Sequence, residues 1–292
     1  MKPKIRFIIN PNSGTSSKEE YSSWIEDGID KEKFEADIAI TKGPKHATEL
    51  AIEASRMNYH SVVAVGGDGS VNETAAGLVG TSTPLAIIPC GSGNGMARHL
   101  NIPLDFKEAL QLVNSGKQDT IDTIRINDQF CIGTIGIGFD AHIAHLFAKS
   151  KKRGYSSYVK LVLSEFYKYK SPDFHIRIDG IQFHKKCFLL TFANSSQFGN
   201  NAVIAPFADV QDGIMDVSIV KKFPLWHAPA LIYMLMKNSL HLSNHFEMLQ
   251  GREIQVENSG TLQGHIDGEP VEFTSNLLIR IYPRSLNVLV PA

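Results

Sequence analysis

Val62-Val63-Ala64-Val65-Gly66-Gly67-Asp68-Gly69-Ser70-Val71-Asn72-Glu73 is an apolar run that ends in a glycine turn holding one acid. Residues that bury on both faces mark a strand covered by helices. Gly66 and Gly67 admit backbone angles and close approaches that side chains forbid. Gly69 and Ser70 then open a helical segment, Val71 to Leu78. The free amides of a helix start favour phosphate, and a carboxylate in the same turn can hold Mg²⁺ against it. A tight strand-to-helix connection needs glycine in any case, so one such turn does not separate structure from ligand binding.

Two further turns of the same kind point to a shared site. Ile5 to Asn10 reads as a strand ending in Asn10-Pro11-Asn12-Ser13-Gly14, and Leu85 to Pro89 as one ending in Cys90-Gly91-Ser92-Gly93-Asn94. Ligands gather beyond the carboxyl ends of strands in an open parallel sheet, so the three turns would line one crevice. No Lys-Ser/Thr follows the glycines, which excludes a Walker A loop, and the first turn is not GxGxxG. Strands and helices alternate from residue 4 to about 120, predicting a mostly parallel α/β sheet covered on both faces. Phe34 to Thr41 is its second strand. Pro44 starts a helix carrying Ala47, Leu50, Ala51 and Ala54 on one face, and Asp105 caps another, Phe106 to Asn114, stopped by Gly116. After Thr120 the chain turns to alternating strands with turns at Asn127-Asp128 and Asp179-Gly180, an antiparallel β region interrupted by helices around 140–170 and 225–240.

Asn10-Pro11-Asn12-Ser13-Gly14, Gly66 to Glu73, Pro89 to Asn94 with Ala97-Arg98, and His265-Ile266-Asp267-Gly268-Glu269 resemble the diacylglycerol kinase catalytic-domain family. That family includes soluble bacterial lipid kinases and the sphingosine and ceramide kinases. The Gly-Gly-Asp-Gly element is shared with NAD kinases and phosphofructokinases; the four elements in this order are specific. The resemblance implies a nucleotide-binding α/β domain over residues 1–122, phosphofructokinase- and NAD kinase-like, to which residues 285–292 return. It implies a C-terminal antiparallel β-rich lipid-substrate domain with helices over 123–284, and an active site in the interdomain cleft. The implied activity is an ATP-dependent lipid kinase using Mg²⁺, which transfers the γ-phosphoryl group to the hydroxyl of a diacylglycerol-like or sphingoid lipid. The alternatives are an NAD kinase-like enzyme and a non-catalytic nucleotide-binding regulatory module.

Under that reading Asn10, Pro11, Asn12, Ser13 and Gly14 lie near phosphates or ribose, and Gly66, Gly67, Asp68, Gly69, Ser70, Val71, Asn72 and Glu73 wrap the triphosphate. Thr41, Ser92 and Asn94 complete the nucleotide set, while Arg98 meets phosphate, caps its helix or pairs with an acid. Asp267 and Glu269 sit in a turn between two strand-like runs, where Asp and Gly also serve backbone geometry. Phosphoryl transfer to an alcohol asks for a carboxylate to accept the hydroxyl proton. Similarity to the bacterial lipid kinases makes Asp267 that base and Asp68 the acid that orders Mg²⁺, whereas sphingosine kinases give the base role to the acid matching Asp68; the assignment stays open. Asp209, Asp212 and the Ile214 carbonyl could ligate a hard cation or form a solvated loop, and the resemblance implies a structural Mg²⁺ there. Asn94-Gly95 departs from the Asn-Asp pair of many bacterial diacylglycerol kinases. Asp140 either meets the lipid head group, as the resemblance to sphingosine kinases implies, or N-caps the helix that follows.

Composition fits two domains: 292 residues bury a sizeable core, and a net charge of −1 gives no global field to recruit nucleic acid. Met1-Lys2-Pro3-Lys4 leads into a strand rather than a signal peptide, and Leu225 to Met236 is too short to span a bilayer. Cys90, Cys131 and Cys187 follow no metal or disulfide pattern and read as reduced thiols of a cytoplasmic protein. The run Lys149-Ser150-Lys151-Lys152-Arg153 precedes Tyr155, Tyr158, Leu161, Leu163, Phe166, Tyr167 and Tyr169. A basic cluster beside aromatics suits transient peripheral contact with a membrane surface, although core packing accounts for the aromatics equally. The sequence leaves a homodimer open.

Overall fold

The computed structural model describes residues 2–14, 16–149 and 155–292. The chain divides into two compact units, Met1–Thr123 with Tyr282–Ala292, and Ile124–Ile281.

The first unit alternates β1 (Lys4–Ile9), α1 (Lys18–Gly28), β2 (Glu35–Ile40), α2 (His46–Arg56), β3 (Ser61–Gly66), α3 (Asp68–Leu78), β4 (Leu85–Pro89), α4 (Gly95–His99), α5 (Phe106–Ser115) and most of β5 (Lys117–Ile126). The strands run parallel in the order β2-β1-β3-β4. Every residue of β3 and β4 is buried, as expected of strands covered on both faces. Burial extends to one charge: Arg6 is 7% exposed in β1 and is held by Asp37 at 2.7 Å and Glu53 at 3.2 Å. Local signals set the helix starts. Ser17 and Glu20 form a reciprocal capping box on α1, and Asp105 caps α5 through the amides of Lys107 and Glu108.

Three boundaries differ from the sequence reading. The second strand is Glu35–Ile40, one residue shorter at each end than Phe34 to Thr41. The helix after it begins at His46 and not at Pro44, because Lys45 takes a left-handed conformation (φ 66°) and its amide donates to Glu73 Oε1 at 2.9 Å. Thr48 Oγ1 adds a bond to the Glu73 carbonyl at 2.7 Å, so α3 fixes where α2 starts. The helix after the central turn begins at Asp68, three residues ahead of Val71.

The second unit holds β6 (Gln129–Cys131), β7 (Thr134–Gly138), α6 (Phe139–Lys149), α7 (Tyr155–Lys168), β8 (Asp173–Ile178), β9 (Ile181–Lys186), β10 (Leu189–Ala193), β11 (Met215–Val220), α8 (Ala228–Met236), β12 (Phe246–Gly251), β13 (Glu253–Val256), β14 (Leu262–Ile266), β15 (Glu269–Phe273) and the first part of β16 (Leu277–Val290). One antiparallel sheet runs β12-β11-β10-β7-β14-β15; β16, β13, β8 and β9 form a second antiparallel set. Their inner faces share one core, in which Ile135, Ile137, Leu190, Phe192, Val217 and Ile219 meet Ile176, Ile178, Ile254, Val256 and Ile279. Two sheets closing on one apolar layer make a sandwich. The helical region expected around 225–240 is a 3-10 turn, Leu225–His227, followed by α8 with Pro229 in its first turn. Much of the basic run Lys149 to Arg153 lies outside the described residues. No helix among the described residues is long and apolar enough to cross a membrane.

Candidate active site

The turns after β1, β3 and β4 lie at the carboxyl ends of three neighbouring parallel strands. β1 and β3 are adjacent while β2 lies outside β1, so the strand order reverses between them, where open α/β sheets bind ligands. Asn10 Nδ2 bridges that point to Ser70 Oγ at 3.0 Å, and Asn10 Oδ1 accepts from the Asn12 amide at 3.0 Å. The second and third turns touch backbone to backbone. A Cβ placed on Gly91 would lie 2.6 Å from the Gly67 Cα, so no larger residue fits without separating the turns.

Asp68 locks this contact. Its Oδ2 accepts from the Asn94 amide at 2.8 Å and its Oδ1 from the Gly95 amide at 2.7 Å, at the start of α4. Burial raises the Asp68 pKa, and the backbone donors of Gly95 and Asn94 work against that rise. The backbone amides of Asp68 itself and Met96 act on the same carboxylate and also oppose the rise. Asn94, in the left-handed region at φ 53°, braces its own loop, exchanging hydrogen bonds with the Gly91 amide and carbonyl at 3.0 and 2.7 Å. Arg98 Nε donates to the Gly93 carbonyl at 3.0 Å, a loop contact that none of the three sequence alternatives named. Of the other nucleotide candidates, Pro11, Asn12, Gly14 and Ser92 are exposed, Ser13, Gly67, Gly69, Asn72 and Glu73 are half-buried, and Gly66, Ser70 and Val71 are buried. Thr41 sits at the end of β2 with its amide on the Ile9 carbonyl at 2.9 Å.

The second acid occupies a different structure. Asp267 (φ 47°) and Gly268 (φ 84°) form the two-residue hairpin turn between β14 and β15, where positive φ at both positions suits the strand twist. The Asp267 carboxylate reaches into the loop before β7. It accepts from the amides of Ile132 at 3.2 Å, Gly133 at 3.0 Å and Thr134 at 2.7 Å, and the Cys131 thiol lies 3.5 Å away. Burial, then the charge of Asp267, pushes the Cys131 pKa well up, which keeps it a thiol donor. A Cβ on Gly133 would stand 2.6 Å from Asp267 Oδ1. Glu269, the neighbouring candidate, is exposed on β15.

Asp140 lies inside the first turn of α6 and does not cap it. Its Oδ1 accepts from the Ala141 amide at 2.8 Å, while Oδ2 stands 3.1 Å from His265 Nε2. His265 is 5% exposed, and its Nδ1 has no hydrogen-bond partner. Sequence reasoning missed this pair because its members are 125 residues apart and belong to different elements. In the loop before β11, Asp209 Oδ1 accepts from the Gln211 amide at 2.9 Å and Asp212 Oδ1 from the Ile214 amide at 2.8 Å. Among the described residues no group of three or more His, Cys, Asp or Glu side chains could hold a metal. A cation there would rest on two carboxylates and backbone carbonyls. Near this loop Asp216 is 2% exposed with Oδ2 unpartnered, and burial raises its pKa, with Asp212 adding to the rise.

The parallel unit with its three glycine turns, followed by an antiparallel sandwich, agrees with two family models. Residues 4–126 match the diacylglycerol kinase catalytic domain. Residues 133–290, more than half of the chain, match the YegS C-terminal NAD kinase beta sandwich-like domain. The chain belongs to the diacylglycerol kinase catalytic-domain family, in the two-domain form that carries the YegS-type C-terminal part. A Pseudomonas putida protein described as "Probable lipid kinase YegS-like" is 28% identical over 260 residues, 88% of this chain and 85% of that protein. A Bacillus subtilis protein named diacylglycerol kinase is 25% identical over 293 residues, covering 99% of this chain and 96% of its own. A solved structure described as a diacylglycerol kinase from Bacillus anthracis shares the fold with a TM-score of 0.73 at 20% identity, over 98% of this chain and 96% of the other.

Proposed function

We propose that this protein transfers the γ-phosphoryl group of Mg-ATP to the hydroxyl of a membrane lipid. One observation carries the reading: three glycine turns at the carboxyl ends of adjacent strands, with Gly67 and Gly91 in backbone contact and Asp68 fastening both. That platform presents backbone where a phosphate chain needs close approach, and α3 starts at it with its amide dipole. Asn10 and Ser70 hold the first turn to the second, which fixes the spacing of the groups that would meet ribose and phosphates. Mg²⁺ arriving with the nucleotide would neutralise phosphate charge, and Asp68 would orient it directly or through water. Asp209, Asp212 and the Ile214 carbonyl would hold a separate, structural cation.

In this reading Asp267 accepts the proton of the lipid hydroxyl. Transfer through a loose transition state asks for positioning more than for a strong base, and three amides and a thiol fix this carboxylate's orientation. The Asp140–His265 pair bears on the acceptor. A carboxylate oriented by an imidazole at 3.1 Å could meet a lipid hydroxyl or a sphingoid amine, and the similarity to a protein named diacylglycerol kinase favours the hydroxyl of a diacylglycerol-type lipid.

The test is transfer of labelled phosphate from Mg-ATP to mixed micelles of diacylglycerol, monoacylglycerol, phosphatidylglycerol, sphingoid base or ceramide, with NAD as a separate acceptor. We expect label in diacylglycerol. Label in sphingoid base overturns the diacylglycerol-type acceptor, and label in NAD alone, or in no acceptor, overturns the lipid kinase.

A further inference from the structure

Helix α8 reads Ala228-Pro229-Ala230-Leu231-Ile232-Tyr233-Met234-Leu235-Met236, with no charged residue on any face. Leu231, Met234 and Leu235 pack inward on Ile204, Ala205, Val220 and Leu240. The opposite side is left to solvent: Ile232, Tyr233 and Met236 are 60, 65 and 44% exposed. Trp226 at 78% and Leu242 at 69% flank the helix on either side in the chain. Phe207, 57% exposed on another loop, joins them through its ring contact with His241, centroid to centroid 5.0 Å. Scattered exposed apolar residues need no explanation, but a patch of this kind marks an interaction site.

The charge around the patch selects the occupant. From Lys221 to Phe246 the chain holds no Asp or Glu, but three lysines and the histidines 227, 241 and 245; the loop of Phe207 carries the exposed Asp209 and Asp212, the carboxylates proposed above to hold a cation. Lys222 turns inward over the rings of Phe166 and Phe188 at 4.2 and 4.6 Å, and Lys221 stands 3.5 Å from Glu247. Lys237, exposed one residue past α8, is the outward cation of the patch. A two-fold contact pairing this segment with itself would offer Lys237 no acid of the segment, and His227 and His245 already face one another at 2.9 Å. An anionic lipid surface instead meets the cation with phosphate and receives Trp226 and Tyr233 at head-group depth, where amphipathic aromatics are favoured.

We propose that α8 with Trp226, Phe207 and Leu242 is the surface by which this protein docks on an anionic bilayer. The proposal rests on the lipid-kinase reading for its reason to visit a membrane. Its test is independent of turnover: co-sedimentation of the full chain with phosphatidylcholine vesicles, with and without phosphatidylglycerol. The wild type should sediment with phosphatidylglycerol vesicles. The double variant Trp226→Ser/Tyr233→Ser should bind them about tenfold more weakly. Lys237→Glu should lose about fivefold on phosphatidylglycerol and nothing on phosphatidylcholine alone. Both variants should phosphorylate a water-soluble short-chain diacylglycerol at the wild-type rate, which shows that they fold. Equal vesicle binding by wild type and double variant overturns the proposal. So does a wild-type dimer that the double variant dissociates with vesicle binding unchanged, since the patch would then cover a second copy. Vesicle binding as proposed with no phosphorylation of any lipid breaks the kinase reading and leaves the docking surface standing.

Discussion

Asp68 and Asp267 are both turn acids beside glycine, and the two units use them differently. Asp68 spends its oxygens on two amides at the head of a short helix, tying one strand-end turn to the next. Asp267 spends its oxygens on three amides and a thiol, in a nest formed by the loop before β7. A carboxylate that joins two turns sets the shape of a binding surface, whereas one set in a nest has its own direction fixed. Under the proposed function, this difference would let one residue type serve nucleotide binding in a parallel sheet and proton acceptance in an antiparallel one.

The largest effect expected from breaking this pattern is at Asp267. Asp267→Ala removes the acceptor from three amides and puts alanine at φ 47°, which should cost about 3–5 kcal/mol and appear as a large fall in Tm. A loss below about 1 kcal/mol would mean that water replaces the carboxylate and that the nest does not hold the hairpin. Next is Gly91→Ala, whose Cβ would stand 2.6 Å from the Gly67 Cα. Pushing the turns apart should cost about 2 kcal/mol and abolish ATP binding measured by calorimetry. Unchanged ATP affinity would separate the nucleotide site from the contact of the two turns.

Asp37 gives the comparison a reference acid outside both sites. Burial raises its pKa, but the Tyr59 hydroxyl at 2.6 Å and the Arg6 guanidinium at 2.7 Å outweigh burial and lower it overall. An acid lowered in the folded state contributes stability that is present above the unfolded value and lost as pH falls through the folded one. Asp37→Asn should therefore cost about 1–2 kcal/mol at pH 7, discounted because the acid is a third exposed. The gap in Tm to wild type should close below about pH 4. Asp68, raised by burial, has the opposite sign: its contribution is full below the unfolded value and is lost as pH rises through the folded one. The smallest effect concerns the thiols. Burial pushes the Cys187 pKa up to about 12 and that of Cys131 well above its ordinary value, so both should resist alkylation at pH 8 in the native chain. Rapid native labelling of Cys131 would show that the Asp267 nest opens.

Elements whose cause is local could be read from the sequence. The glycine turns end strands within a few residues, so their positions and the parallel order followed from alternation alone. The Asp267-Gly268 turn was equally plain as a hairpin signal. What those acids touch was not. The amides that hold Asp267 lie more than a hundred residues earlier in the chain, and no periodicity links Ile132 to Thr134 with a hairpin near the C-terminus. The start of α2 depended on Glu73 of another helix, which overrode the Pro44 signal. Asp140 looked like a cap because capping is a local event, and its contact with His265 exists only because β14 lies beside β7. The apolar side of α8 was visible as composition, but only burial shows which residues stay uncovered.

The measurement that tests the division of labour most directly pairs ATP affinity with phosphoryl transfer to diacylglycerol in Asp68→Ala and Asp267→Asn. We predict that Asp68→Ala loses both, whereas Asp267→Asn binds ATP as the wild type does and loses transfer by a factor of roughly a hundred or more. Transfer at the wild-type rate by Asp267→Asn, or its loss of ATP binding together with transfer, would contradict the separate roles given to the two acids.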